Sequence, residues 1–345
     1  MNIREIAKRA RVSHSTVSRV INQVDTVDPK LVRRVQAVIQ EVGYRPNFQA
    51  RALARGRSHT VGLIVSELSG GNPFFSEIIL YFERAAIEQG YEVLVSFADT
   101  ETHPDHVSVC AARMQERQVE GIAALTFGME EQLANGSVEV PVVYVGADHI
   151  LEKVRNVRIN YLAGFRDAVR HLADFGHERI GYLSGGLSWS SMKNRYEALR
   201  RATKLNGLAL EKDLVVECDH TWDGGAEGMA TLLSLAKPPT AVMCCNDVAA
   251  VGALKTLATR GLQAGRDISV IGFDDLTICR FTQPALTTIQ FSPREIARLA
   301  FSALLEEIEG ASEKTNFEYK TRLILRESTC APNLQFAPRV HSVTA

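Results

Sequence analysis

The sequence predicts an α/β protein in which a small helical head precedes a larger core of two doubly wound, parallel α/β lobes. The 345 residues exceed what one compact core usually holds, which favours two or three domains. Residues 1–57 contain 12 lysines and arginines against 4 aspartates and glutamates, a charge of +8 in a chain whose net charge is −1. From Thr60 onward, buried-strand runs alternate with helical stretches. A basic head on an acidic body indicates a polyanionic partner for the head alone.

The head is predicted to contain three helices. Apolar residues at helical spacing predict a first helix over 3–10, and Ser13 can cap a second helix after the break at "RVS". A third helix is predicted between Asp28, a suitable N-cap, and Gly43, which stops it. Two short helices joined by a tight turn and braced by a third form a helix-turn-helix, whose second helix enters the DNA major groove. The polar residues left facing outward on this helix are His14, Ser15, Ser18, Arg19 and Asn22.

The outward residues decide between two functions for the head. A helical bundle of this size can also bind protein, but such a surface normally presents an apolar patch. Here the surface presents hydrogen-bond donors and cations instead, which favours DNA. Arg19 lies one turn after the start of the second helix, from where it can reach a guanine edge or a phosphate.

The connector over 46–58 is predicted to contain a short helix. Asn47 can cap the segment "FQARALAR", and Gly56 closes it. Eight residues are too few for a stable isolated helix in water, and Leu53 has no apolar neighbours to pack against. The connector is therefore either an ordinary linker or a segment that folds on DNA and inserts Leu53 into the minor groove.

The core is predicted to contain two series of strands and helices. The first runs from "TVGLIVSEL" to "VPVVYVG", and the second from "RIGYLSGG" to "ISVIGFDD". We expect one lobe over about 60–160 plus 291–330, a second over about 161–290, and a tail over 331–345. In open α/β sheets, ligands bind beyond the carboxyl ends of the strands.

Residues at the predicted strand ends suggest a binding site. Aromatic faces combined with a few fixed polar groups suit a small, hydroxyl-rich ligand. Arg195 can donate through a planar fork and Asp274 can accept from hydroxyls, although the two can also simply pair with each other. The predicted ligand-binding residues are Phe74, Phe75, Trp189, Arg195, His220, Trp222, Asn246 and Asp274.

The segments "VSHSTVSRVIN" and "GYRPNFQARALARG", followed by the two strand series, resemble the LacI/GalR family of bacterial transcription regulators. The resemblance extends over nearly the whole chain. It implies a homodimer on a near-palindromic operator, with paired hinge helices that insert Leu53, and a core similar to periplasmic sugar-binding proteins. It also implies that Arg195, Asn246 and Asp274 hold the effector. The residues predicted to contact DNA are Ser13, His14, Ser15, Thr16, Ser18, Arg19 and Asn22 in the head and Asn47, Ala50, Arg51 and Leu53 in the hinge.

Four positions depart from the family pattern. Arg11 stands where the family often has a turn glycine, so the turn has to tolerate a larger residue. Ala54 replaces a lysine that some members carry after the inserted leucine. Ile159 stands where many members have an aspartate before the asparagine that is here Asn160, and Val145 stands where some sugar-binding members have an aspartate, so the effector need not be one of the family's sugars.

The sequence therefore predicts a ligand-responsive transcription regulator, a repressor of carbohydrate-use genes. The alternatives are a corepressor-dependent regulator with a nucleobase-like effector, a sugar-modifying α/β enzyme and a solute-binding transport component. No nucleophile–base pair is apparent, and we expect no enzyme activity, cofactor or metal. "GGAEG" at 224–228 lacks the spacing of a phosphate loop and is interpreted as a helix start. No apolar run approaches a membrane span and "MNIREIAKR" is no secretory signal, so we expect the bacterial cytoplasm, at the nucleoid.

Overall fold

A computed structural model of the chain describes residues 3–21, 26–44, 57–66, 73–99, 103, 105–125, 133, 138–146, 154–311 and 317–333. The chain divides into two compact units, Met1–His59 and Thr60–Ala345. Within the described residues there are ten α-helices and twelve strands. No helix among them is long and apolar enough to cross a membrane.

The first unit is a three-helix head. Its helices are α1 (Ile3–Arg9), α2 (His14–Ile21) and α3 (Pro29–Val42). They pack around a small apolar core to which Ile6, Val17 and Val35 contribute side chains with no exposed surface. The predicted ends of α3 are confirmed: Asp28 accepts a hydrogen bond from the Lys30 amide at 2.7 Å, and Gly43 ends the helix at φ +61°.

The second unit is an α/β core with two sheets. In chain order its elements are β1 (Thr60–Ser66), α4 (Pro73–Glu88), β2 (Glu92–Ala98), α5 (His106–Glu116), β3 (Ile122–Leu125), β4 (Val142–Val145), β5 (Arg155–Asn160), α6 (Tyr161–Asp174), β6 (Ile180–Leu183), α7 (Ser190–Leu205), β7 (Val215–Val216), α8 (Trp222–Ser234), β8 (Ala241–Cys244), α9 (Asp247–Thr259), β9 (Ser269–Asp274), β10 (Thr287–Gln290), α10 (Pro293–Glu309), β11 (Phe317–Lys320) and β12 (Arg322–Ile324). Short 3-10 turns add Lys212–Leu214 and Thr277–Arg280.

The strand order confirms the predicted doubly wound class. The first sheet runs β11-β5-β4-β3-β1-β2 and is parallel throughout. The second runs β12-β10-β9-β8-β6-β7 and is parallel except for the edge strand β12. Parallel strands need crossover helices, which accounts for the near-continuous apolar strands in the sequence.

The chain passes between the lobes more often than we expected. After β10 it returns to the first lobe, where α10 packs against β3, β4 and β5. It was expected to remain there to residue 330, but β12 pairs antiparallel with β10 in the second sheet, with Thr288 opposite Ile324. This pairing occupies the free edge of β10, which would otherwise expose unpaired backbone groups. Residues 322–324 therefore belong to the second lobe.

The "GGAEG" stretch has a packing role in this fold. It lies in the first half of α8, which runs closely against α9. A Cβ on Gly225 would overlap the carbonyl oxygen of Ala249, and a Cβ on Gly252 would overlap that of Trp222. Gly225 of α8 and Gly252 of α9 thus allow the two helix backbones to come into contact. The "GGAEG" stretch is therefore a helix start whose glycines serve the packing of α8 against α9.

Candidate DNA-reading and ligand-binding sites

The outer surface of α2 carries polar side chains at its N-terminal end. Ser13, His14, Ser15 and Arg19 are exposed, and Thr16 and Ser18 are half-buried. The Ser13 hydroxyl accepts a hydrogen bond from the Thr16 amide at 3.1 Å and contacts the hydroxyls of Ser15 and Thr16 at 2.8 Å each. This cap fixes the first turn of α2, which contains no acidic residue. The N-terminus of such a helix is favourable for a phosphate or a base acceptor.

The predicted hinge contacts Asn47, Ala50, Arg51 and Leu53 lie outside the described part of the chain. Asn22, predicted as a DNA contact of the head, lies outside it as well. Their proposed contacts with DNA stay predictions.

A buried ion pair forms the centre of the second site. Arg195 of α7 and Asp274 at the end of β9 are 4% and 2% exposed, and an Nη2 hydrogen of Arg195 is donated to Asp274 Oδ1 at 3.1 Å. Another guanidinium N–H is donated to the carbonyl oxygen of Cys245. The guanidinium carbon lies 3.9 Å from the centre of the Phe273 ring, within cation–π range. The pairing that we left open as an alternative is therefore present.

Burial controls the protonation of this pair. Removal from water and the nearby Asp247 together raise the pKa of Asp274 to about 8, against the opposing effect of Arg195. The pKa of Arg195 is also raised, because burial, which lowers it, is outweighed by Asp274 and other nearby groups. Burial therefore favours the neutral form of Asp274, whereas Arg195 stays charged.

Several polar atoms near the pair have no hydrogen-bond partner among the described residues. They are the Nε of Arg195, the hydroxyl of Ser191 and the hydroxyl of Tyr182. Ser191 and Arg195 lie one turn apart on α7 and so share one side of the helix. Unsatisfied buried polar atoms are costly, so these are the groups that a polar ligand or water would satisfy.

Asn246 has a structural role in addition to its predicted contact with an effector. Its side-chain oxygen caps α9 by accepting from the Ala249 amide at 2.7 Å, and its amide group donates to the carbonyl oxygen of His220 at 2.9 Å. Both ends of the side chain are therefore engaged within the chain. Any contact with a ligand has to share these bonds.

The predicted aromatic residues fall into two groups. Trp189 and His220 meet edge to face at 5.8 Å, and Trp222 starts α8 with 36% of its surface exposed. Phe74 and Phe75 lie on α4 of the first lobe, 5.4 Å apart.

Phe291 connects the first lobe to the ion pair and was missed by the sequence analysis. It stacks on Phe74 at 5.1 Å, and the Arg195 guanidinium lies 5.9 Å from its ring centre. Phe291 directly follows β10, so the rule that ligand residues follow strand ends would have identified it.

Asp247 was also missed, although it supports the turn that carries Asp274. Its buried carboxylate accepts from the Leu276 amide at 2.8 Å and the Thr288 hydroxyl at 2.6 Å. Asp274 and Asp275 both have positive φ angles, +118° and +60°, which are unfavourable for residues with side chains. Burial raises the pKa of Asp247 to about 6. The carboxylate thus anchors a strained turn at the edge of the site.

The two positions that lack the family's aspartates are apolar core positions. Val145 and Ile159 are 2% and 6% exposed and belong to the main hydrophobic core. Neither supplies a hydrogen-bond acceptor from its side chain.

Comparison with known proteins identifies similar chains over nearly the full length. The family described as "Bacterial regulatory proteins, lacI family" matches residues 2–47, and "Periplasmic binding protein-like domain" matches residues 169–329. The ribose operon repressor of Haemophilus influenzae is 31% identical over 95% of this chain and 96% of its own length. The HTH-type transcriptional repressor PurR of Pasteurella multocida is 33% identical over 94% and 98%.

Solved structures agree with these matches. The Lac repressor dimer bound to operator and the anti-inducer ONPF superposes with a TM-score of 0.87 at 27% identity, covering 96% of this chain and 99% of that one. A complex of the transcriptional regulator CelR with cellobiose superposes with a TM-score of 0.69 at 28% identity, covering 95% and 99%.

Proposed function

Because this chain belongs to the LacI family of bacterial regulatory proteins, we propose that it is a repressor that binds a near-palindromic operator as a homodimer and responds to a small ligand in the core. The observation that carries the proposal is the capped N-terminus of α2, which presents hydroxyl, imidazole and guanidinium groups to solvent. An operator as partner places the protein in the bacterial cytoplasm.

On the DNA side, α2 enters the major groove. His14 and Ser15 face base edges, and Arg19 reaches a guanine or a phosphate one turn further on. The hydroxyls of Ser13 and Thr16 are hydrogen-bonded to each other at the start of the helix. These two side chains therefore lose less conformational freedom when DNA binds.

On the ligand side, we propose a sugar or sugar derivative, and genes of carbohydrate use as targets. Arg195, Ser191 and Tyr182 offer donors to ligand oxygens, and Trp189 offers an apolar face of the kind that sugar rings pack against. The names of the ribose operon repressor and the CelR–cellobiose complex fit this class.

A nucleobase-like corepressor is the second candidate. The similarity to PurR repressors favours it, and so do the apolar residues Val145 and Ile159, which provide fewer acceptors for hydroxyls. Phe74 and Phe291 form an aromatic stack at 5.1 Å beside Arg195, and a planar ring can extend such a stack.

The test measures DNA binding with and without ligands. Duplexes are enriched from a random pool by the wild-type protein, both alone and with each ligand, and then serve as probes. Their binding is measured with and without ribose, cellobiose, hypoxanthine or guanine. Release of DNA by a sugar supports the first candidate, and tighter binding with a nucleobase supports the second. A protein that enriches no duplex either alone or with any of these ligands, or whose DNA affinity does not fall between about 50 and 200 mM salt, is not a DNA-binding repressor.

Substitution of Arg19 tests the DNA surface directly. Arg19→Ala is expected to weaken DNA binding by about 1–3 kcal/mol at one base position if Arg19 reads a guanine, and uniformly across sequences if it contacts phosphate. Arg201→Ala is the matched control, because it removes the same charge from an exposed position in the second lobe. Unchanged affinity in the Arg19 variant would show that α2 does not read DNA through this residue.

A further inference from the structure

The turn between α1 and α2 has an unfavourable backbone conformation at an exposed arginine. Arg11 has φ +50°, in the left-handed region that favours glycine. The turn closes α1 through hydrogen bonds from the Arg11 amide to the Lys8 carbonyl at 3.3 Å and from the Val12 amide to the Ala7 carbonyl at 3.0 Å. These bonds require the left-handed residue, so Arg11 has to adopt it.

The third helix contacts this turn from outside. The Arg34 guanidinium donates an N–H to the carbonyl oxygen of Arg11 at 3.0 Å. Arg11 and Arg34 are both exposed, and the hydrogen bond lies at the turn that leads into α2.

We propose that Arg34 is a positioning residue for DNA recognition. Its guanidinium holds the left-handed turn at Arg11 and thereby sets the direction in which α2 presents His14 and Ser15. A glycine at position 11 would adopt the same turn without support, whereas an arginine requires it. This inference rests on the proposed function of α2 as the DNA-reading helix.

The experiment compares DNA affinity in two backgrounds, with the duplex that the wild-type protein enriches as probe. Arg34→Ala is expected to weaken binding about three- to tenfold, the effect of losing one hydrogen bond to a charged donor at a partly solvated site. In an Arg11→Gly background the same substitution is expected to cost less than about twofold, because the turn no longer depends on the brace. Arg34→Lys, which keeps the charge and one donor, is expected to lie between wild type and Arg34→Ala.

Arg33→Ala is the matched control. It removes the same charge from a neighbouring exposed position of α3, so its effect is expected to be equal in the two backgrounds. Circular dichroism of each variant shows whether the head remains helical. If Arg34→Ala unfolds the head, the comparison of Arg34→Lys in the two backgrounds takes its place.

Two results would overturn the inference. Equal losses for Arg34→Ala in both backgrounds, with a salt dependence reduced by about one unit, would make Arg34 a phosphate contact and not a brace. Unchanged affinity in the wild-type background would remove Arg34 from DNA recognition altogether. Failure of the wild-type protein to enrich any duplex is a different outcome, which refutes the DNA-binding proposal itself.

Discussion

Replacing Asp274 by asparagine tests whether burial controls the charge at the centre of the proposed ligand site. Asparagine has nearly the same shape, tolerates the positive φ at this position and keeps an oxygen that can accept from Arg195. The substitution removes the titration of the carboxyl group and, with it, the negative charge that Asp274 can place beside Arg195. Its effect on the free energy of unfolding is therefore expected to depend on pH.

The sign of this dependence follows from the pKa of Asp274, which burial raises to about 8 in the folded chain. In the unfolded chain an aspartate loses this proton at about pH 4. Between about pH 4 and pH 8 the folded chain therefore binds about one proton more than the unfolded chain. Wild-type stability consequently decreases as pH rises, by up to about 1.4 kcal/mol per pH unit. The destabilisation caused by Asp274→Asn is thus largest at pH 6 and shrinks by about 2 kcal/mol at pH 8.

Urea unfolding at pH 6, 7 and 8, followed by tryptophan fluorescence, measures this difference. The chain has two tryptophans, Trp189 and Trp222, and both lie in the second lobe. Asp267→Asn is the control, because Arg266 lowers the pKa of Asp267, so this carboxyl group stays ionised throughout the range. A difference between wild type and Asp274→Asn that stays constant or grows with pH would refute the reasoning.

Two further predictions concern packing and assembly. Gly252→Ala is expected to lower the free energy of unfolding in urea by about 3 kcal/mol or more, because the added methyl group overlaps the Trp222 carbonyl. Gly261→Ala is the control: its surroundings are open, so only its positive φ is unfavourable and the expected loss is about 1 kcal/mol. Phe281→Asp is expected to shift sedimentation from dimer to monomer, because this ring is 77% exposed next to the exposed Ile278, and an unchanged dimer would place the interface elsewhere.

Local signals in the sequence predicted the head and the strand ends well. Asp28 and Gly43 mark the ends of α3 because capping is a property of single residues and their nearest neighbours. Arg195 and Asp274 were singled out because buried charges are rare and because strand ends meet at one edge, and the structure brings them together as a buried pair; their contact with an effector stays a prediction. Information of this kind lies within a few residues of each position.

Features that depend on distant partners could not be predicted in the same way. The pairing of β12 with β10 joins residues that lie more than 30 positions apart, and no pattern in "RLI" distinguishes the two sheets. Asp247 was not identified from the sequence, because its partners Leu276 and Thr288 come from later segments. The glycines of "GGAEG" were recognised as a helix start, but their contact with α9 depends on the approach of a second helix.

The strained turn at Asp274 means that the proposed ligand site is already organised without a ligand. Two consecutive left-handed residues with side chains cost of order 1–3 kcal/mol each, and they persist only where the surroundings fix them. Asp247 supplies this support through Leu276 and Thr288, and Arg195 supplies it directly to the Asp274 carboxylate. A ligand that contacts Arg195 therefore meets a side chain already held in place. Its binding energy does not have to order the site, and it is available to change the state of the core.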